Sequence, residues 1–477
     1  MPLAISPHRR KFLAKSLASA GLLTLASERS HAAEQFLVTN VTGLYSIQVA
    51  RIEIPRSTAE VAALIRSWSG QVCIGGGRYS MGGQVAVRSG LHLDMRQMNK
   101  LVWVQPENRL VRIQAGMRWR DLQDHLDPLG LAIKTMQSFS NFTVGGSVSV
   151  NCHGRYVGHG PICNTVRALQ LVMADGSVIE ASAMEHPELF RAAIGGYGAI
   201  AVITEVELEL ADNVRVERVV EAIPLERYVA YFKGNVLADK RSIMHNADLL
   251  PPMFDTPVCV TWRQVPETTP LTEPNRLVPR DASYGLEQNV IWSVTELPGG
   301  KTLRKSIIHP LLTSKPIVKW LNHEASLDVA ELEPRTRAIS TYVLQEYFIP
   351  EQRAEAFVRE MAKALQRHKV AALNISIRHA PADTTSMLPW AREDVFSFVL
   401  YYKQRTWTSA QEEVGCWTRE LIDLALQHGG RYYLPYQLHA TAQQFESAYP
   451  EAVQLRSLKR QVDPTGKFSN ELWRKYL

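Results

Sequence analysis

The sequence has few cysteines and, beyond its first residues, no long apolar run. Five cysteines in 477 residues are too few, and odd in number, for the disulfide framework of many secreted domains, so we expect at least one free, buried thiol. After residue 32, no apolar segment is long enough to cross a bilayer as a helix. We therefore expect neither a disulfide scaffold nor an integral membrane segment once the N-terminal segment is removed.

The first 32 residues have the pattern of an export signal. Arg9 and Arg10 precede a short apolar run over residues 17–26, and a small-x-small triplet at residues 30–32 provides a cleavage site. The paired arginines followed by Phe-Leu favour a twin-arginine signal over a Sec signal or a basic amphipathic N-terminus. We therefore expect a periplasmic or otherwise exported protein.

The net charge is small once this segment is set aside. Its five basic residues against one acidic residue carry +4 of the formal net charge of +6, which leaves +2 for residues 33–477. So weak a charge gives no reason to expect a nucleic-acid partner.

The rest of the sequence predicts a mixed α+β chain, and its length suggests more than one domain. Residues 37–212 alternate strand and helix patterns, with a hairpin at Asp175-Gly176. Residues 213–425 have longer polar connections and alternating apolar segments, which predict an antiparallel sheet flanked by helices. We expect residues 426–477 to return to the first domain and the active site.

Two glycine-rich segments indicate a place where the backbone approaches a ligand closely. The first is CIGGGRYSMGGQ, residues 73–84, and the second is NFTVGGSVSVNCHGRYVGHG, residues 141–160. Phosphate is the commonest guest of such backbone. Ser80 stands where the dinucleotide-binding fingerprint needs glycine, and the P-loop lysine is absent, so neither motif fits. Two such segments in one domain could grip an extended diphosphate, whereas the first alone could also be a tight turn.

The order of these motifs resembles the PCMH-type FAD-binding domain of the vanillyl-alcohol-oxidase and p-cresol-methylhydroxylase flavoproteins. The similar segments after the glycines are ADG at 174–176, HPELFRAAIGGYGAIAVIT at 186–204, LQEYFIP at 344–350 and DPTGKFSN at 463–470. The resemblance covers nearly the whole chain after residue 32. It implies a two-domain fold with FAD, most similar to the sugar-lactone and alditol oxidases and to decaprenylphosphoryl-β-D-ribose oxidase.

The resemblance implies that both glycine segments bind FAD. The first would bind the pyrophosphate, with Arg78 adding charge, the second would lie near the flavin, and the main chain at Ile203 would meet the adenine. The implied cofactor-binding residues are Gly75, Gly76, Gly77, Arg78, Tyr79, Ser80, Gly82, Gly145, Gly146, Ser147, His153, Gly154 and Ile203. Many family members link flavin covalently to a histidine just before the loop serine. Tyr79 occupies that position here, so we expect non-covalent FAD.

Glu346 is the first candidate for the substrate chemistry. The alternation of LQEYFIP places Leu344, Glu346 and Phe348 on one face of a strand. Glu346 matches the acidic or amide residue that faces the flavin in sugar oxidases. A carboxylate that is merely solvated is the alternative.

A second strand, LNISIRH, places Asn374, Ser376 and Arg378 on one face. Alditol oxidases have an acidic residue and an arginine at the positions of Ser376 and Arg378. Decaprenylphosphoryl-β-D-ribose oxidase is closer to the pattern of Asn374 and Ser376. Arg378 could stabilise an alkoxide or the charge of the reduced flavin, or form a structural ion pair.

The segment GGRYYLPYQLHATAQQFESAYP supplies the remaining candidates. It resembles the ribose oxidase, but Tyr436 occupies the position of that family's lysine, three residues after Tyr433. Tyr433, Tyr436, His439 and His153 are therefore candidates for an acid, a base or a hydrogen-bonding group.

Together these features predict an exported FAD-dependent oxidoreductase that oxidises a CH–OH group of a sugar, polyol, lactone or related small molecule. Hydride would pass to flavin N5, and oxygen or another carrier would accept the electrons. The alternatives are a double-bond reductase of the sterol-reductase type and a flavin-binding protein with little turnover. A zinc site of Cys152, His153, His159 and Cys163 is a further rival, but its spacing fits no common zinc motif, so we expect no metal.

Overall fold

The computed structural model describes residues 36–282, 316–331, 334 and 336–477. The predicted export signal lies outside the described residues. The strands are β1 (Leu37–Thr39), β2 (Ser46–Gln48), β3 (Arg51–Glu53), β4 (Val72–Gly75), β5 (Leu91–Asp94), β6 (Leu101–Gln105), β7 (Leu110–Gln114), β8 (Leu131–Ile133), β9 (Val166–Val172), β10 (Val178–Ser182), β11 (Val202–Asp212), β12 (Arg215–Ala222), β13 (Ser242–Leu249), β14 (Val258–Gln264), β15 (Val318–Trp320), β16 (Ser340–Pro350), β17 (Ala372–Ala380), β18 (Val395–Arg405) and β19 (Arg431–Tyr432).

The α-helices are α1 (Thr58–Ser67), α2 (Trp119–Leu126), α3 (Val144–Ser149), α4 (Pro187–Ala193), α5 (Leu225–Tyr231), α6 (Leu321–Ala325), α7 (Ala354–Arg367), α8 (Thr408–Gln427), α9 (Ala442–Ala448), α10 (Ala452–Val462) and α11 (Glu471–Tyr476). A π-helix, Phe232–Leu237, continues α5. Among the described residues, no helix is both long and apolar enough to cross a membrane. All five cysteines are free, and only Cys416 is exposed.

The first part of the chain contains a small parallel sheet and a larger antiparallel one. The parallel sheet has the order β3-β5-β4, and the antiparallel sheet has the order β10-β9-β11-β7-β6, with β8 paired to β11. Helix α1 begins where the Ser57 hydroxyl accepts a hydrogen bond from the Glu60 amide, 3.2 Å away. Strand β4 then carries the chain directly into the first glycine segment.

The second part is an eight-stranded antiparallel sheet of order β15-β12-β14-β13-β17-β18-β16-β19. Helices α7 and α8 pack against each other and against β16. The rings of Tyr347 and Phe357, 5.9 Å apart, join β16 to α7, and those of Tyr402 and Trp417, 4.8 Å apart, join β18 to α8. The predicted α+β class, with an antiparallel sheet flanked by helices, is confirmed.

The C-terminal segment packs on the first part of the chain. The Val72 amide donates to the Lys467 carbonyl at 2.7 Å, and the Lys467 ammonium donates to the carbonyls of Ile65 and Trp68. Phe468 is fully buried beside Val72 in an apolar cluster. The boundaries 37–212, 213–425 and 426–477 stay a prediction.

The second glycine segment differs from the loop that its sequence suggests, because Gly145 and Gly146 lie in α3. A Cβ atom on Gly145 would come within 2.6 Å of the Ala115 Cβ. Here glycine is needed for close packing of a helix and not for a turn.

Candidate active site

Two adjoining cavities lie beside the glycine segments, and one of them reaches the eight-stranded sheet. The glycine cavity extends from Gly76 to Ile203, and the sheet cavity extends from Gly76 to Glu346. Both are lined by Gly76, Ser80, Val85, Thr143, Gly146 and Val150. Because they share these six residues, the two cavities are direct neighbours.

The two glycine segments meet at Thr143, at the junction of the cavities. A Cβ atom would lie 2.1 Å from the Thr143 hydroxyl oxygen if placed on Gly76, and 2.8 Å from it if placed on Gly146. That hydroxyl is buried and has no hydrogen-bond partner within the described part of the chain. Bare backbone and an unpaired hydroxyl suit a ligand rich in acceptor oxygens, such as a pyrophosphate. The residues present therefore fit FAD.

Nine of the expected cofactor-binding residues line these cavities: Gly76, Gly77, Arg78, Tyr79, Ser80, Gly145, Gly146, His153 and Ile203. Gly75, Gly82, Ser147 and Gly154 line neither of them.

Packing accounts for those four residues. Added Cβ atoms would clash with the His92 ring at Gly75, with the Tyr436 carbonyl at Gly82 and with the Met136 carbonyl at Gly154. The Ser147 hydroxyl bonds inside the core, to Trp119, Gln137 and the Thr143 carbonyl. Their role toward the cofactor stays a prediction.

Arg78 lines the sheet cavity, and its guanidinium is bound by Asp94 and His92. Its guanidinium donates to Asp94 at 3.0 Å and contacts His92 at 3.2 Å. Burial lowers the pKa of the guanidinium, and the neighbouring Asp94 opposes this shift. Asp94 therefore offsets part of the positive charge of Arg78. Phosphate binding by Arg78 stays a prediction.

Glu346 lies at the centre of the sheet cavity's polar end. Its Oε1 accepts hydrogen bonds from His153 Nε2 and from the Ser397 hydroxyl, both at 2.5 Å, and its Oε2 accepts one from the Tyr436 hydroxyl at 2.9 Å. The carboxylate is only 2% exposed. Arg378 lines the same cavity and pairs with Ser397 in the β17-β18 ladder. The structure thus brings Glu346, Arg378, Tyr436 and His153 together.

The electrostatics of this group favour an ionised carboxylate. Burial opposes ionisation of Glu346, but the contacts with His153, the Arg378 charge and the Ser397 hydroxyl together lower the pKa of its carboxyl. Burial and the adjacent carboxylate raise the pKa of the Tyr436 phenol well above its ordinary value. Tyr436 is therefore a neutral donor to a charged acceptor.

His153 is enclosed by three aromatic rings. The ring centroids of Phe348, Trp390 and Tyr433 lie 5.6, 5.0 and 6.1 Å from that of His153. The Tyr433 hydroxyl donates to the carbonyl of Val150, the residue that follows α3, at 2.7 Å. The rings hold the imidazole with one nitrogen directed at Glu346.

Three candidates do not line either cavity. The Asn374 amide donates to Asp248 at 3.3 Å, Ser376 pairs with Val399, and His439 bonds to Gln437. Burial lowers the pKa of His439 to about 4. Their catalytic roles stay predictions.

Sequence reasoning missed Ser397 and Thr143. Ser397 interrupts the apolar run VFSFVL, and such a polar residue at a buried strand position is a usable signal. Thr143 precedes the paired glycines without any pattern of its own.

Two of the four residues of the rival zinc site have other partners. His153 bonds to Glu346, and the Cys163 thiol contacts Asp383 at 3.3 Å. Within the described ranges, the group that could hold a metal is Glu351, His379 and Asp394, where the Lys233 ammonium already contacts Glu351 at 2.5 Å.

The sequence matches two family models. Residues 49–182 match an FAD binding domain, and residues 256–476 match the D-arabinono-1,4-lactone oxidase family. The first model contains both glycine segments, and the other contains Glu346, Arg378 and Tyr436.

Proteins of similar sequence include sugar-lactone oxidases and dehydrogenases and an alditol oxidase. L-gulonolactone oxidase of Mus musculus is 24% identical over 418 residues, covering 86% of this chain and 90% of that protein. The mitochondrial L-galactono-1,4-lactone dehydrogenase of Brassica oleracea is 28% identical over 49% of this chain and 40% of its own. An alditol oxidase of a Streptomyces species is 29% identical over 36% of this chain and 41% of its own. The chain belongs to the PCMH-type FAD-binding flavoproteins, in the branch that contains the sugar-lactone and alditol oxidases.

Proposed function

We propose that this chain is an FAD-dependent oxidoreductase that oxidises a CH–OH group in the sheet cavity, with Glu346 as the proton acceptor. The observation that carries the proposal is a buried carboxylate at the cavity wall with three hydrogen-bond donors around it. The relatives are oxidases and dehydrogenases, which favours oxidation of an alcohol over reduction of a double bond.

The geometry of Glu346 leaves room for a substrate hydroxyl. An ionised carboxylate has about four acceptor sites, and His153, Ser397 and Tyr436 use three of them. The remaining site, on Oε2, accepts the substrate hydroxyl and then its proton. When bound, FAD supplies the acceptor for the hydride that leaves the same carbon.

Arg378 stabilises negative charge on the substrate oxygen during this step. Its guanidinium lines the cavity beside the carboxylate and stays protonated although burial lowers its pKa. Tyr436 keeps its proton and holds Oε2 in place, because its pKa is raised.

The test is anaerobic reduction of the bound flavin by a panel of lactones, polyols and other alcohols. We expect Glu346→Gln to retain FAD but to lower the reduction rate by about 10²–10⁴-fold, the usual contribution of a general base. Glu351→Gln is the matched control, because Glu351 is an equally buried glutamate outside both cavities. An unchanged rate in Glu346→Gln removes this residue from the mechanism. If no compound bleaches the flavin, the protein binds flavin with little turnover.

We propose that FAD is held without a covalent bond. Tyr79, at the position of the linking histidine in related proteins, lines the sheet cavity and packs on Phe142 with ring centroids 4.6 Å apart. After acid precipitation, the flavin should remain in the supernatant. Flavin in the protein pellet would contradict this proposal.

We propose that the protein is exported by a twin-arginine signal. The support is sequence alone: Arg9 and Arg10 before a short apolar run. Replacing both by lysine should retain the protein in the cytoplasm, as measured by cell fractionation. Undiminished export of that variant would exclude this route.

A further inference from the structure

The sheet cavity changes from polar to apolar along one face of the eight-stranded sheet. On β16, Glu346 is followed toward the start of the strand by Leu344 and Tyr342, and all three line the cavity. On β18, Val399 pairs with Glu346 and Tyr401 pairs with Leu344, and both also line it. Alternate residues of a strand lie about 6.6 Å apart, so this face extends roughly 13 Å from Glu346 to Tyr342.

Loops provide further apolar side chains to the same cavity. Phe139 and Phe142 come from the segment before α3, and Val329 and Pro334 come from the segment before β16. The rings of Tyr342 and Tyr401 pack 5.6 Å apart and give the far end of the face an aromatic surface.

Three arginines line the sheet cavity, but none of them lies among the apolar residues of β16 and β18. Arg378 is at the polar end, in line with Ser397. Arg78 is paired with Asp94, and Arg337 precedes the first residue of β16, Ser340. The stretch formed by Leu344, Val399 and their neighbours offers a substrate mainly dispersion and burial.

A free sugar lactone or polyol fits such a stretch poorly. These compounds carry hydroxyls on most of their carbons, and a hydroxyl buried against leucine and valine loses its water without gaining a partner. An alkyl or aryl group, in contrast, gains free energy from the same contact.

From this arrangement, and on the basis of the proposed function, we infer that the substrate is an alcohol joined to an apolar body. The CH–OH group binds at Glu346 and Arg378. The alkyl or aryl body lies along Leu344, Val399 and Tyr401. The substrate class therefore differs from the free lactones and alditols named for the relatives.

Calorimetric titration of the oxidised holoenzyme tests this inference without any turnover. The probes are octyl β-D-glucopyranoside, kept below its micelle concentration, and methyl β-D-glucopyranoside, which has the same polar head. L-gulono-1,4-lactone is the third ligand. We expect the octyl compound to bind at least about tenfold more tightly than either of the others, because only its chain buries apolar surface. Equal or tighter binding of the methyl compound or the lactone overturns the inference.

Two variants test whether the octyl chain binds at Val399. Val399→Thr replaces a methyl group of the wall by a hydroxyl and should reduce the octyl preference by about threefold or more. Val260→Thr is the same change on β14, outside both cavities, and should leave the preference unaltered. A preference that survives Val399→Thr unchanged places the chain elsewhere and overturns the inference.

The two proposals fail in different ways. A protein whose flavin is reduced by a hydroxy compound, but which shows no octyl preference, refutes the apolar body alone. A holoenzyme that shows the octyl preference, but whose flavin is reduced by no hydroxy compound, refutes the proposed function alone.

Discussion

At the scale of single residues, the acidity of Glu346 is set by its neighbours. Burial disfavours the charged form, and the donors and the Arg378 charge reverse that effect, so the pKa lies below the ordinary value of 4.5. Such a carboxylate stabilises the folded state above pH 4.5, and this contribution is lost as the pH falls through the lower pKa of the folded state.

The pH dependence of flavin reduction follows from this shift. The rate constant should stay level from neutral pH down to about pH 5 and fall only below the ordinary glutamate value, because the acceptor remains ionised. Stopped-flow measurement of the anaerobic reduction as a function of pH checks this expectation. A decline centred above pH 5 would show that another group is the base.

Ser397→Ala should raise the pH at which the rate of flavin reduction begins to fall. The change removes one donor from Oε1, and because a hydrogen bond to a carboxylate favours its ionised form, the pKa of Glu346 should rise. Ser242→Ala is the control, because its buried hydroxyl has no hydrogen-bond partner among the described residues. FAD content should be unchanged in both variants, and identical pH profiles would mean that Ser397 has no influence on the carboxylate.

The sequence could locate Glu346 but not its environment. Strand alternation alone places the residue on a defined face. Its partners His153 and Ser397 lie 193 and 51 positions away, and no local pattern connects them to it. For the same reason, no local pattern shows that His439 and Asn374 lie outside both cavities.

At the scale of elements, the two glycine segments approach each other too closely to leave room for a side chain at Gly76. Gly76→Ala would place a methyl group against the Thr143 side chain, and overpacking of this kind costs about 1–3 kcal/mol. We expect FAD affinity, measured by fluorescence titration, to fall at least about tenfold.

The double variant Gly76→Ala, Thr143→Ala separates this clash from other causes. The penalty of Gly76→Ala should be smaller when Thr143 has lost its hydroxyl, because the space is restored. Gly234→Ala is the control, since no atom lies within 4 Å of its added Cβ. Equal penalties in both backgrounds would rule out the clash.

Helix α3 marks the limit of local prediction for elements. The strands and long helices were predictable from period-two and helical patterns. Paired glycines argue against a helix, at about 1 kcal/mol each relative to alanine. In the folded chain, the packing of Gly145 on Ala115 favours the helix in spite of that preference.

At the scale of the whole molecule, Phe468 couples the end of the chain to its beginning. Its side chain is fully buried in a cluster with Val61, Val72 and Leu93. Phe468→Ala should reduce the free energy of unfolding, measured by urea denaturation, by about 3–5 kcal/mol. Val453→Ala, at an exposed position of α10, should have little effect. A loss below about 1 kcal/mol for Phe468→Ala would mean that the cavity collapses or that the contact is weak.

The donors around Glu346 have a consequence for biosynthesis. They come from residues 153, 397 and 436, so the carboxylate can be set to its working acidity only after the late part of the chain has reached the early part. A chain that is still being elongated can already form both glycine segments, but it has no organised proton acceptor. The proton acceptor is therefore organised only when the whole chain has folded.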